Sequence, residues 1–111
     1  MEWGKYLTRE ENGVKWYSVN AILDDKFGKE GSPERAAFTF ESLAWYFGEI
    51  LRDRRKELNL TQKQLAERIG KERAYIAKIE KGETDMQLSS FLRIMNALEL
   101  TVDLKPIPRR R

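Results

Sequence analysis

Apolar residues recur at helical spacing in the second half of the chain. Leu65 and Ile69 lie four positions apart, and Ile76 and Ile79 lie three positions apart. Spacings of three and four residues place side chains on one face of a helix. The pattern predicts two short helices, followed by a third whose apolar face is formed by Leu88, Phe91, Leu92, Met95 and Leu98.

The residues at the ends of the first two helices favour the same boundaries. Thr61 and Gln64 have the spacing of a capping box, in which each side chain bonds to a backbone amide near the other residue. Gly70 follows the last turn, where a left-handed backbone is often needed, and Gly82 closes the second helix. The sequence therefore predicts two helices joined by a tight turn after Ile69.

Upstream, the pattern predicts two further helices. Ser18 and Gly28 are suited to begin and end a short helix. Pro33, after Ser32, fits the first position of another. A continuous helical rhythm then predicts one long helix from Pro33 to about Leu58, with Gly48 as a candidate kink; its apolar stripe contains Phe40, Leu43, Ala44, Phe47, Ile50 and Leu51.

Both ends of the chain contain candidate strands. Lys5 to Tyr17 has Asn12-Gly13 near its middle, a dipeptide suited to a type I′ hairpin turn. Near the carboxyl end, Val102 and Leu104 alternate with polar residues, which indicates a short strand ended by Pro106. Pairing of this strand with its copy in a second subunit would form a dimer through Val102 and Leu104. The alternative is a tail packed within one subunit.

Composition limits the range of functions. The chain has 111 residues, enough for one modest domain with an extension. It contains neither histidine nor cysteine, which excludes Cys/His metal sites, thiol nucleophiles and imidazole bases. We therefore expect no catalytic residues, no metal and no cofactor. Without a long apolar run or signal peptide, we expect a cytoplasmic protein with no membrane contact.

The charge is unevenly distributed. Residues 49–111 contain 15 Lys and Arg against 10 Asp and Glu, a net of +5, whereas residues 1–48 contain 6 against 8, a net of −2. A basic half is what nucleic-acid binding requires. Ten of the 12 aromatic residues precede Gly48, a density that argues against a disordered extension.

The segment from Leu60 to Gly82 resembles the Cro/C1-type (XRE) helix-turn-helix family. It contains the pattern Leu-Thr-Gln-x-x-Leu-Ala-x-x-x-Gly, followed by Ile-x-x-Ile-Glu-x-Gly. The resemblance covers roughly Ile50 to Leu100 and implies a mainly α, lambda-repressor-like helix-turn-helix bundle. It also implies a homodimer that binds double-stranded DNA at a near-palindromic operator.

The resemblance also implies roles for individual residues. Arg73 is the leading candidate for reading a base, because a guanidinium can donate two hydrogen bonds to guanine. The implied base contacts are Glu72, Arg73, Ala74 and Lys78, and the implied phosphate contacts are Gln62, Tyr75 and Lys81. Arg55 and Glu80 are expected to form a structural ion pair.

The predicted organisation is an amino-terminal extension (1–48), a helix-turn-helix domain (49–100), and a dimerisation strand with a basic tail (101–111). This order is similar to that of HigA-type antitoxins, which implies autorepression and neutralisation of a RelE/HigB-like mRNA-cleaving toxin. Four aromatic residues could bind the toxin or could complete the protein's own core: Trp3, Tyr6, Trp16 and Tyr17. The alternative function is a stand-alone dimeric regulator of the same family.

Overall fold

The computed structural model describes residues 2–37, 40–83 and 86–103. Within these residues the chain forms six α-helices, one short 3₁₀ helix and a two-stranded sheet, which confirms the predicted mainly α class. The chain divides into two compact units, Met1–Leu43 and Ala44–Arg111. None of the described helices is both long enough and apolar enough to cross a membrane.

The first unit begins with the 3₁₀ helix Trp3–Tyr6 and an antiparallel hairpin. Its strands are β1 (Leu7–Glu11) and β2 (Val14–Tyr17). Asn12 and Gly13 connect them with φ angles of 53° and 78°. Two successive positive φ angles are what a type I′ turn requires. The hairpin predicted from Asn12-Gly13 is therefore confirmed.

The first helix of this unit, α1 (Val19–Phe27), has the ends that its sequence predicts. The Ser18 hydroxyl accepts a hydrogen bond from the Ala21 amide at 3.0 Å, which satisfies one amide of the first turn. Gly28 follows the helix with a φ of 88°, a conformation that favours glycine. The short helix between Ser18 and Gly28 is confirmed.

The second helix, α2 (Pro33–Ala36), is held to the end of α1 by an arginine. Nη1 of Arg35 donates to Asp24 Oδ1 and to the Gly28 carbonyl, both at 2.8 Å. The Ser32 hydroxyl accepts from the Arg35 amide and caps the helix. These bonds fix the direction of α2 relative to α1.

The prediction of one continuous helix from Pro33 to Leu58 is wrong. α2 ends at Ala36, Ala37 lies in a turn, and a separate helix, α3, spans Phe40–Glu57. Apolar spacing continues across the interruption, and neither Gly nor Pro marks it, so periodicity alone does not reveal it. Gly48 lies within α3 and does not end it.

The second unit contains α3 from Ala44 onward and three shorter helices. These are α4 (Gln62–Ile69), α5 (Arg73–Glu80) and α6 (Leu88–Ala97). Their apolar faces meet in one core, which stabilises the unit by removing these side chains from water. The buried members are Leu51, Leu65, Ala66, Ile69, Ile76, Ile79, Ile94, Met95 and Leu98.

The buried face of α6 is narrower than the sequence predicts. Phe91 packs against the core, and Met95 and Leu98 are buried, as expected. Leu88 and Leu92, however, are 71% and 51% exposed, whereas Ile94, which the predicted face does not include, is 1% exposed. Leu88 and Leu92 lie four positions apart and so share one side of α6, and this side faces away from the core.

The predicted carboxy-terminal strand is not formed in Thr101–Asp103. This segment pairs with no strand among the described residues, and the Val102 side chain is 48% exposed. A strand is defined by its backbone bonds to a neighbour, so a segment with no neighbour in its own chain has no ladder. Leu104 lies outside the described residues.

Candidate nucleic-acid interface

The turn between α4 and α5 has the geometry that the sequence predicts. The Thr61 hydroxyl accepts from the Gln64 amide at 3.0 Å, and Gln64 Oε1 accepts from the Thr61 amide at 2.9 Å. These reciprocal bonds confirm the capping box at the start of α4. At its end, Gly70 has a φ of 71°, and the Lys71 amide donates to the Ala66 carbonyl at 2.9 Å. The turn therefore fixes where α5 begins.

The end of α5 is held close to α3 by a glycine. A Cβ atom at Gly48 would lie 2.4 Å from the Ile79 carbonyl oxygen and 2.8 Å from that of Glu80. Such distances are far below van der Waals contact, so only glycine permits this approach. Gly48 thus has a packing role, which its position in the sequence pattern does not reveal.

The outward surface of α5 presents the four residues implied as base contacts. Glu72 is the residue before the first turn, and its side chain makes no capping hydrogen bond. Arg73, Ala74 and Lys78 follow on the helix, and all four residues are exposed. A helix with one buried stripe and a polar outer face has the shape required to enter the major groove.

The three residues implied as phosphate contacts have different environments. Lys81 is exposed beyond the end of α5, whereas Tyr75 is half-buried against the core. Nζ of Lys71 lies 5.2 Å from the centre of the Tyr75 ring, a cation–π contact that brings a further cation to the first turn of α5. Lys71 is not among the residues that the resemblance implies as DNA contacts.

The ion pair between Arg55 and Glu80 is present and buried. Nε of Arg55 donates to Glu80 Oε2 at 2.7 Å, and Nη2 donates to Oε1 at 3.0 Å. The remaining terminal nitrogen, Nη1, donates to the Leu60 carbonyl at 2.8 Å. Because both oxygens of Glu80 are paired, this buried charge is compensated. The pair joins α3 to the end of α5.

Gln62 connects this ion pair to Arg73 on the outward surface of α5. Its Nε2 donates to Glu80 Oε1 at 3.1 Å, and its Oε1 accepts from Arg73 Nη1 at 3.0 Å. Gln62 and Arg73 lie 11 positions apart in different helices. Neither residue type nor local spacing indicates such a contact, which explains why the sequence analysis did not find it.

The four aromatic residues considered for toxin binding belong to the first unit. Tyr6 is only 4% exposed, and its hydroxyl donates to Asp25 Oδ2 at 2.6 Å. This hydrogen bond raises the pKa of Tyr6 to about 12 and lowers the pKa of Asp25. Tyr6 therefore packs within its own chain.

The other three aromatic side chains are half-buried. Trp3 and Tyr17 meet edge to face with ring centres 5.1 Å apart. The guanidinium of Arg9 lies 3.9 Å from the ring centre of Trp16. These contacts order the rings on the hairpin while leaving part of each ring accessible.

Comparison with known proteins identifies the helical unit. A helix-turn-helix family profile matches residues 51–105. Over 49 residues the chain is 47% identical to an uncharacterised HTH-type transcriptional regulator of Methanothermobacter thermautotrophicus, covering 44% of this chain and 71% of that protein. A second such regulator, from Haemophilus influenzae, is 38% identical over 53 residues, which are 48% of this chain and only about half (54%) of that protein.

Solved structures show the same arrangement of helices. The restriction-modification controller protein C.AhdI from Aeromonas hydrophila matches with a TM-score of 0.55 and 28% identity, over 58% of this chain and 93% of its own. HipB in a HipA-HipB-O2-O3 complex matches with a TM-score of 0.51 and 27% identity. The match covers 57% of this chain and 89% of the HipB chain. The predicted lambda-repressor-like bundle is confirmed.

The fold and these relatives define the class of protein. The chain belongs to the XRE-type helix-turn-helix family of DNA-binding transcription regulators. This family is regulatory rather than enzymatic.

Proposed function

We propose that this protein is a sequence-specific transcriptional repressor that binds double-stranded DNA as a homodimer at a near-palindromic operator. The observation that carries the proposal is the exposed face of α5, where Arg73, Ala74 and Lys78 follow a left-handed turn at Gly70. A helix that follows a tight turn and presents cations outward has the geometry with which helix-turn-helix proteins enter the major groove. The net positive charge of residues 49–111 adds attraction to the phosphates of DNA.

Within this proposal the exposed residues have separate roles. Arg73 reads guanine, Ala74 contacts a thymine methyl group, and Glu72 accepts from a cytosine amine or excludes other bases. Lys78 contacts a further base edge, while Gln62, Tyr75 and Lys81 contact phosphates. Gln62 uses one amide N–H for Glu80 and retains the other for a phosphate oxygen.

We further propose that the protein is the antitoxin of a type II toxin–antitoxin pair that neutralises a RelE/HigB-like toxin. The similar protein HipB occurs in a complex with a different protein, HipA, which supports a protein partner for this fold. The first unit supplies a surface for one, because three apolar side chains there are exposed: Leu7, Val14 and Val19. The net negative charge of residues 1–48 would attract a basic toxin.

A stand-alone regulator is the second candidate function. The observation that favours it is the similarity to C.AhdI, a controller of a restriction-modification system. In that case the first unit would extend the dimer or respond to a ligand, and no toxin partner would exist.

Two measurements test these functions. Selection from a pool of randomised duplexes should recover one near-palindromic sequence; failure to enrich any sequence would contradict the repressor. Co-expression of the protein with the neighbouring open reading frame tests the toxin partner. If the neighbour alone stops growth and the pair grows and co-purifies, the antitoxin function is supported. A harmless, unbound neighbour would leave the stand-alone regulator.

A further inference from the structure

A chain of hydrogen bonds leads from the interior of the helical unit to the exposed Arg73. Arg55 donates twice to Glu80, Gln62 donates to Glu80, and Arg73 donates to Gln62. Arg55 and Glu80 are 8% and 6% exposed, so packing fixes the inner end of this series of hydrogen bonds. We call these four residues the Arg55–Arg73 relay.

The chemistry of the relay allows only one orientation of the Gln62 amide. The carboxylate of Glu80 offers only acceptors, so the Gln62 NH₂ group must face it. The carbonyl of Gln62 must then face away, toward Arg73, whose guanidinium offers only donors. Both neighbours of Gln62 therefore favour the same orientation: Glu80 accepts from its NH₂ group, and Arg73 donates to its carbonyl oxygen. The buried carboxylate holds the inner end of Gln62 and leaves the carbonyl oxygen for Arg73.

This orientation matters because Arg73 is a long, exposed side chain. Such a side chain samples many rotamers in solution, and binding a base in one of them costs entropy. The bond from Nη1 to Gln62 occupies one of the five guanidinium N–H groups and leaves four, of which a guanine needs two. Arg73 can therefore be held in place and still read a base.

We propose that Glu80 is a positioning residue for base recognition, acting through Gln62 on Arg73. Its pair with Arg55 thus has a second role beyond joining α3 to α5. The inference rests on the proposed DNA-binding function. It predicts that sequence preference, and not only stability, depends on a buried carboxylate that cannot itself reach the DNA.

The test uses the full chain and duplexes with about 20 randomised base pairs, enough for two half-sites. Wild type first defines its preferred duplex, and Arg73→Ala then identifies the base pair at which discrimination is lost. Affinities for the preferred duplex and its single-base-pair variants are measured for Glu80→Gln and Gln62→Met. The methionine has a similar length but no hydrogen-bonding amide, and it leaves the Arg55–Glu80 pair intact.

We expect both variants to lower discrimination at the base pair read by Arg73 by about three- to tenfold, the effect of one lost hydrogen bond. Discrimination at the other base pairs should not change. In the Arg73→Ala background neither variant should lower discrimination further, because the effects of substitutions at coupled residues do not add. Gln62→Met should also weaken binding to every duplex, because its phosphate contact is lost.

Arg54→Lys is the matched control. Arg54 is the neighbour of Arg55 on α3, and its Nε donates to the Leu98 carbonyl at 3.0 Å, a tertiary bond outside the relay. This variant should lower the melting temperature without changing base preference. Circular dichroism sets the assay temperature, which is chosen so that every variant, Glu80→Gln included, is folded.

Two outcomes would overturn the relay while leaving the repressor in place. One is equal weakening of all duplexes by Gln62→Met and Glu80→Gln, as a purely structural role requires. The other is the same loss of discrimination in the Arg73→Ala background. Failure of the wild type to select any sequence would instead contradict the proposed function itself.

Discussion

At the scale of single residues, the identity of the side chain at position 73 should determine how one base pair is read. A lysine keeps the charge of Arg73 but cannot donate two hydrogen bonds in a fixed plane. We expect Arg73→Lys to lose about 1 to 3 kcal/mol of discrimination at one base pair, the range for a bidentate contact. Competition binding with single-base-pair variants of the preferred duplex measures this loss.

Lys81→Ala is the control for that experiment. Lys81 is exposed after α5, and we propose that it contacts a phosphate, which is the same in every sequence. Its removal should weaken all duplexes equally and reduce the salt dependence of binding by about one phosphate contact. If Arg73→Lys also lowered the affinity for all duplexes equally, this result would contradict the base-reading role of Arg73.

A hydrogen bond in the first unit should make stability depend on pH. The bond from Tyr6 to Asp25 raises the pKa of the phenol from 10.0 to about 12. Its contribution is fully present below about pH 10 and is lost as the pH rises through about 12. The same bond lowers the pKa of Asp25, so protonation of Asp25 at acidic pH weakens it by replacing a charged acceptor with a neutral one. Stability should therefore fall at both extremes.

Tyr6→Phe tests this dependence, because it keeps the ring and removes only the hydroxyl. We expect a lower melting temperature at neutral pH and a smaller further loss on titration to high pH. Thermal unfolding at several pH values, with tyrosinate absorbance to follow ionisation, provides the measurement. Tyr17→Phe is the control, and an identical pH profile for both variants would contradict the assignment.

At the scale of elements, the approach of α3 to α5 depends on the absence of one methyl group. Ala favours a helix over Gly by about 1 kcal/mol, so Gly48→Ala should stabilise an isolated α3. In the folded unit its Cβ would meet the backbone oxygens of Ile79 and Glu80, which cannot rotate away. Overpacking typically costs about 1 to 3 kcal/mol, so we expect net destabilisation.

Urea denaturation of Gly48→Ala measures this effect. Lys56→Ala is a suitable control, because Lys56 is exposed on the same helix. It should change the free energy of unfolding by no more than about 0.5 kcal/mol. If Gly48→Ala were neutral or stabilising, the close packing of α3 on α5 would be contradicted.

Local elements could be predicted from the sequence because their causes are local. The Thr61–Gln64 box, the turn at Gly70 and the Asn12-Gly13 hairpin are each set by residues within a few positions. The buried face of α5 also follows from its own spacing. The position of α2 against α1 could not be predicted, since it depends on bonds from Arg35 to residues 7 and 11 positions away.

The relay could not be predicted for the same reason. The resemblance to the family predicts DNA contacts at Gln62 and Arg73, but it does not predict that the two side chains meet. Their mutual bond, and the bond from Gln62 to Glu80, cross 11 and 18 positions and arise only when α4 packs against α5. The pair of Arg55 and Glu80 is predictable from the sequence only through the resemblance to the family.

At the scale of the whole molecule, the two halves of the chain differ in charge and so are suited to different partners. Residues 49–111 are basic and contain the proposed DNA-reading surface, whereas residues 1–48 are acidic. Acidic residues repel phosphates, so we expect the first unit to contribute little to DNA affinity. A basic protein partner would meet a complementary charge there.

The proposed homodimer gives the last prediction. Val102 is 48% exposed, and in a two-fold interface each residue lies near its own copy or near a reciprocal partner. Val102→Asp would place two carboxylates there, so we expect the dimer dissociation constant to rise at least about tenfold and operator binding to weaken with it. Sedimentation at several concentrations, combined with binding to the full operator and to a single half-site, measures both effects. Leu88→Asp is the control, because Leu88 is more exposed and lies on α6, outside the proposed contact. A dimer that survives Val102→Asp but not Leu88→Asp would move the interface from the carboxy-terminal segment to α6.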